Sequence, residues 1–347
     1  MGFWNTITFG IVNRCKANKI IKNAKSREEN ARNALETQKS NTQESLSILG
    51  TAKQDAFTNA ISQFVTLYRV VGKVDVSPIK NLEGGVNYRQ FKLEYSEMKK
   101  ISTSLNEMAV LVGGSAVAGA AAVGGAMGLA ALIGTASTGT AIGSLSGVAA
   151  TNATLAWLGG GAVSAGGAGV AGGMVVLGGI ALAPLAIFGM FLGANKGTQK
   201  LNAAKDYSDE IDVLVEKIYT LIMELEKIEK GAKLFTETVL SLEGLMNFQN
   251  EKMQSIVCRL NNRRVLNKYL IDPIKKLFRI QVLTDEEATV FRDTANCALL
   301  LKQICDTPLM DGEGAFMEEA ITFLQQKEDS CNTLLLQAGM PQLGEAV

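Results

Sequence analysis

Histidine is absent from the 347-residue chain, and proline occurs only five times. Without histidine the commonest general base, the Ser-His and Cys-His nucleophile pairs and the usual catalytic zinc shells are all missing. The chain is therefore expected not to be an enzyme, and neither a cofactor nor a metal is expected. Five cysteines, Cys15, Cys258, Cys297, Cys305 and Cys331, are widely spread, odd in number and never in a C-x-x-C arrangement. That usage predicts free, mostly buried thiols in a reducing compartment rather than a disulfide framework or zinc knuckle. Net charge is zero and no compact basic block occurs, which argues against a nucleic-acid partner. No small-molecule substrate is indicated.

The largest absence is local. From Met108 to Asn195, 88 residues contain no Asp, Glu, Lys or Arg, yet they hold 22 of the 35 glycines. All 68 charged side chains lie in the two flanks. Strand patterns with alternating polarity and turn signals are also missing. Phosphate-binding and hydrolase motifs fail as well. Gly159-Gly160-Gly161 has Ser164 where a dinucleotide fingerprint needs glycine, and the stretch Gly193 to Thr198 lacks the phosphate-loop order. Gly143-Ser144-Leu145-Ser146-Gly147 has leucine where a nucleophile elbow needs serine.

What is present is helix-forming sequence. Residues Asn13 to about Val71 contain a single glycine, Gly50, and no proline, which predicts one long helix. Gly72, Pro78 and the Gly84-Gly85 pair interrupt it, and a second helix is expected from about Asn87 into the uncharged region. Beyond that region Ile211, Leu214, Ile218, Leu221, Leu225 and Ile228 keep heptad spacing, with Val215 and Ile222 widening the stripe toward bundle packing. Gly231 is a candidate kink and Pro273 a candidate bend. Thr284-Asp285-Glu286-Glu287 is a capping box opening a helix through about Cys305. Pro308 to Gly314 predicts a turn, followed by a final helix from about Ala315 to Gln337.

Within the uncharged run, Met108 to Ile133 and Val170 to Ala194 are the two apolar pieces long enough to span a bilayer. The first, of 26 residues, makes about 39 Å of helix against a hydrocarbon core of about 30 Å. Ala141 to Leu158, with its Ser, Thr and Asn, is marginal. The expected membrane-inserting residues are Val112, Val123, Leu129, Val176, Ile180, Leu182, Phe188 and Phe191. Glycine disfavours helices in water by about 1 kcal/mol against alanine, whereas in lipid it lets helices approach closely. Four-residue spacing of small residues makes Gly124, Gly128, Gly139, Gly143, Gly147, Gly169 and Gly173 the expected helix-packing positions. Lys99 and Lys100 before the run and Lys196 and Lys200 after it place both ends on the cytoplasmic side, which predicts a hairpin. Burial of the same run as the core of a soluble form is the competing arrangement, and a switch between the two joins them.

The N-terminus carries no secretory signal pattern, and Met1-Gly2 with Thr6 meets the myristoylation pattern only formally, beside bulky Phe3 and Trp4. Phe3, Trp4, Ile7, Phe9, Ile11 and Val12 are expected to dock into the helical body rather than onto a membrane surface. The expected location is the cytoplasmic membrane, or the cytoplasm with a membrane-associated form; secretion without a signal peptide is the other route.

The block Gly134 to Ile142, GTASTGTAI, followed by Ala150 to Gly161, ATNATLAWLGGG, resembles a segment of a widespread bacterial group of helical proteins without assigned function. In layout, a hydrophobic hairpin between two charged helical halves is similar to the α-helical pore-forming toxins of the cytolysin A and tripartite haemolysin type. Apolipoprotein L and the colicin pore domains share that hairpin logic.

The fold expected is all-α: an elongated helical bundle or coiled coil with a central hydrophobic glycine-zipper helical hairpin. Its parts are the N-terminal charged helices 1–107, the membrane-active hairpin 108–195 and the C-terminal helical region 196–347. The function expected is a pore-forming, toxin-like effector whose partners are a lipid bilayer and either its own copies or related helical subunits. A membrane-anchored coiled-coil scaffold without pore activity is the alternative.

Overall fold

A computed structural model describes residues 2–74, 76–79, 82, 86–111, 197–262, 283–310 and 316–343. Among these residues the chain is all-α and holds no strand, and an isolated antiparallel bridge joins Met310 and Phe316. Helix α1 covers Gly2–Asp55 and passes without a break through a π-helical stretch, Ala56–Ile61, into α2, Ser62–Val74. A short 3-10 turn, Ser77–Ile79, precedes α3, Tyr88–Leu111. Then follow α4 (Gly197–Asn261), α5 (Asp285–Asp306) and α6 (Glu318–Gln337). The side chains of Phe3, Trp4, Ile7, Phe9 and Ile11, and the bend expected at Pro273, lie outside the described residues.

The described residues group into two compact units whose limits fall inside helices, between Ser45 and Leu46 and between Lys230 and Gly231. In the first unit, α1 and α4 pack side by side. Ala17, Ile21 and Ala24 of α1 bury themselves with Ala204, Tyr207 and Ile211 of α4. Further along, Ala31 does so with Ile218 and Ile222. Small residues on α1 opposite bulkier ones on α4 let the two backbones approach. Polar bridges continue the seam: Arg27 Nη2 donates to Ser208 Oγ at 2.8 Å and lies 2.9 Å from Asp212. Gln38 Nε2 donates to Glu229 Oε2 at 2.6 Å, and Thr42 Oγ1 to the Leu225 carbonyl at 3.1 Å. From Arg27 with Ser208 to Thr42 with Leu225 the partner numbers rise on both helices, so α1 and α4 run parallel. Of the heptad-spaced residues, Ile211, Ile218 and Ile228 are buried and Leu214, Leu221 and Leu225 half-buried, as the period requires.

The second unit contains the π-helical stretch, α2, α3, the rest of α4, α5 and α6. Helix α5 is its central element: Phe291, Ala295, Ala298, Leu301 and Ile304 are buried along with most residues between them. The capping box that opens α5 is formed. Thr284 Oγ1 accepts from the Glu287 amide at 3.3 Å, and Glu287 Oε2 accepts from the Thr284 amide at 2.9 Å. Glu287 also pairs with Arg259 of α4. A second reciprocal cap opens α3, where Asn87 Oδ1 accepts from the Gln90 amide at 3.0 Å and Gln90 Oε1 from the Asn87 amide at 3.1 Å. Each such cap contributes about 0.5–2 kcal/mol to its helix.

Helix α4 runs through Gly231 without a break. Gly231 sits buried inside the continuous helix, and a Cβ placed there would lie 2.8 Å from Leu309 Cδ1 and 2.9 Å from Phe316 Cε2. The glycine admits the turn between α5 and α6 against the α4 backbone, a tertiary requirement. Helix α6 starts at Glu318, three residues later than the turn signals suggest, because Met310 and Phe316 bridge and the Met317 amide donates to the Leu309 carbonyl at 3.0 Å.

Candidate functional site

The uncharged region begins inside α3, so the site is built from what holds α3 in the second unit. One face of this helix presents Phe91, Tyr95, Met98 and Ser102, three or four residues apart. Phe91 and Met98 are fully buried. The Tyr68 ring of α2 lies 5.3 Å from the Phe91 ring and 4.3 Å from that of Tyr95, with Phe291 of α5 5.6 Å away. Tyr95 Oη donates to the Val65 carbonyl at 3.2 Å, so α2 and α3 meet antiparallel with their rings interleaved. Aromatic pairs at these separations each add about 0.5–1.5 kcal/mol beyond their burial.

Next to the aromatic cluster an ammonium group gathers three carboxylates. Lys302 of α5 is 6% exposed, and its Nζ lies 2.7 Å from Glu94 Oε2, 2.9 Å from Glu97 Oε2 and 2.6 Å from Asp306 Oδ2. Burial alone would lower its proton affinity, but Asp306 and the hydrogen bonds to Asp306, Glu94 and Glu97 outweigh it and hold Lys302 above the ordinary lysine range. The charge pairs join α3 to α5 and leave Glu97 mostly open to solvent.

A second lysine lies in the same unit without such company. Lys53 of α1 is 1% exposed, and its Nζ has no hydrogen-bond partner. Burial lowers its pKa, against the opposing fields of Cys305 and Asp306. Two residues on, Asp55 is raised by burial. Glu243 of α4 is raised first by burial and then by the Asp55 charge, while a hydrogen bond from Asn59 opposes the shift. Burial also pushes the Cys305 thiol up to about 12, so it stays protonated at neutral pH and is no nucleophile.

Asp55 immediately precedes the π-helical stretch, and Asn59 within it hydrogen-bonds Glu243. A π turn widens the helix and releases a carbonyl from its regular partner, a distortion common at functional positions. Here Asn250 of α4, itself buried, donates Nδ2 to the Ala60 carbonyl at 2.8 Å. The result is an ionic and polar layer within the unit, with Phe57, Ile61 and Phe64 buried along the same stretch of chain.

All the expected membrane-inserting residues, Val112, Val123, Leu129, Val176, Ile180, Leu182, Phe188 and Phe191, lie outside the described residues. So do Gly124, Gly128, Gly139, Gly143, Gly147, Gly169 and Gly173. Among the described residues no helix is long and apolar enough to cross a membrane, and no three His, Cys, Asp or Glu side chains form a group that could hold a metal ion. Cys297, Cys305 and Cys331 are buried free thiols, as their spacing suggests, whereas Cys15 and Cys258 are exposed. The ionic layer went unmarked in the sequence, where lysines and carboxylates on long helices read as solvated faces. Its trace is positional: Lys53 falls four residues after buried Leu49, and Lys302 lies between buried Leu301 and Ile304.

The chain matches no protein-family model, no curated protein and no solved structure.

Proposed function

We propose that this chain is a membrane-permeabilising helical effector that inserts its uncharged segment as a hairpin and assembles through small-residue faces. The observation that carries the reading is the run of 88 residues without a charged side chain, entered directly from α3 and left directly into α4. A charged residue in such a run would cost about 2.5–3.5 kcal/mol at the bilayer centre, and here none stands in the way. The partners proposed are a lipid bilayer and further copies of the chain or related helical subunits. The similarity of layout to α-helical pore-forming toxins supports the same reading, and the location proposed is the cytoplasmic membrane or the cytoplasm with a membrane-associated form. The chemistry proposed is non-catalytic.

Vesicles loaded with a self-quenched dye test the proposal, read together with flotation. An effector co-floats with the vesicles and empties them, whereas a membrane-anchored scaffold co-floats and leaves them sealed. Gly143→Leu separates insertion from assembly. The added bulk makes the segment more apolar while blocking close approach on the face shared with Gly139 and Gly147, so flotation is expected to persist and dye release to fall. Release equal to the parent's would remove this face from the packing surface.

A further inference from the structure

We propose that Lys302 is a latch: by gripping Glu94 and Glu97 it holds α3 on α5, and loss of that grip frees α3 toward its uncharged end. The part of this inference that concerns membranes rests on the function proposed above; the latch itself does not.

The contacts of α3 change in kind along the helix. Its first turns are held by Phe91 and Tyr95 among Tyr68 and Phe291. Its middle is held by Glu94 and Glu97 on Lys302. Beyond these, Ser102 is 4% exposed with a side-chain oxygen that has no hydrogen-bond partner, a contact that works against docking. The ionic grip joins the middle of α3 to α5, and the uncharged run begins at Met108 on the same helix.

Two features make the grip reversible rather than merely structural. Glu94 is 36% and Glu97 64% exposed, so water, salt or a cationic surface can compete for them while Lys302 stays inside. Asp306, one turn further along α5, remains bonded to Lys302 when α3 leaves. The buried ammonium is then never stranded without a counter-charge, which would otherwise make release prohibitive.

The test is hydrogen–deuterium exchange on the full-length chain carrying Glu94→Gln and Glu97→Gln, two changes at positions partly open to solvent. The latch predicts amide exchange over residues 95–107 faster by about ten-fold, as expected for losing charge-assisted hydrogen bonds, with α4 amides over 235–257 unchanged. Unchanged exchange in α3 would overturn it. Acceleration spread equally into α4 would also overturn it, showing a general strut of the unit instead. Dye release from vesicles, read on the same variant, is expected to quicken. Faster α3 exchange with vesicles still sealed would uphold the latch and overturn the membrane reading.

Discussion

Asn250 donates its side-chain amide to the carbonyl oxygen of Ala60 at 2.8 Å, joining α4 to the π-helical stretch across 190 residues of sequence. Both partners are fully buried, so no solvent stands ready to replace the bond. Asn250→Ala leaves the Ala60 carbonyl without it and opens a small void, and is expected to destabilise the second unit by about 1–3 kcal/mol. Urea unfolding followed by circular dichroism measures the loss. An unaltered midpoint would show that relief of the unpartnered Asn250 Oδ1 offsets the broken bond.

Lys53 acts in the opposite sense. Its buried, unpartnered ammonium is a burden on the folded state, so Lys53→Met is expected to stabilise the second unit at neutral pH by about 1–3 kcal/mol. The pH dependence has a definite sign. A lysine whose pKa is lowered on folding binds fewer protons in the folded than in the unfolded chain. Its contribution to stability therefore rises with pH from the lowered value up to the ordinary 10.5. The Cys305 thiol, raised from 9.0 to about 12, has the opposite slope above pH 9. The quantity to measure is therefore the difference between parent and Lys53→Met, which should shrink as pH climbs from 7 toward 10.5. A constant difference would mean that Lys53 is not titrating inside the unit.

Asp55 and Glu243 add a proton-linked element of the reverse kind. Both carboxyl groups are raised by burial, and the charge on Asp55 raises Glu243 further. Folding thus favours their protonated forms. Their contribution is most favourable below the ordinary carboxylate range and is lost as pH rises through the raised values. Glu243→Gln is expected to raise stability at neutral pH and to flatten the stability profile on the acid side of neutrality. Denaturant melts between pH 4 and 7.5 decide it, and a variant profile parallel to the parent's would refute the linkage.

The sequence discloses those parts of the fold that depend on local chemistry. Thr284 and Glu287 announce their cap because both members of the box lie within one turn, and Ile211 to Ile228 announce their buried face because the heptad is a property of one helix. Gly231 shows the converse, since its missing side chain serves Leu309 and Phe316, some 80 residues away. Lys53 and Lys302 are hidden for the same cause. A lysine on a long helix is ordinarily solvated, and only the packing of α1, α3, α4 and α5 turns these two inward. The Asn87–Gln90 cap was within reach, for asparagine three residues ahead of glutamine is a recognisable variant of the box. The uncharged run is visible in composition alone, and its residues lie outside those the structure describes.

On the proposed function the segment Val170 to Ala194 enters a bilayer and its entry opens the bilayer. The most direct test is dye release by the parent chain beside Leu182→Arg, which places a charge near the middle of that segment at a cost of about 2.5–3.5 kcal/mol on insertion. Rapid release by the parent and its loss in the variant are expected, with helix content and the unfolding midpoint of the charged units unchanged. Release by Leu182→Arg at the parent's rate, or sealed vesicles with the parent itself, would contradict it.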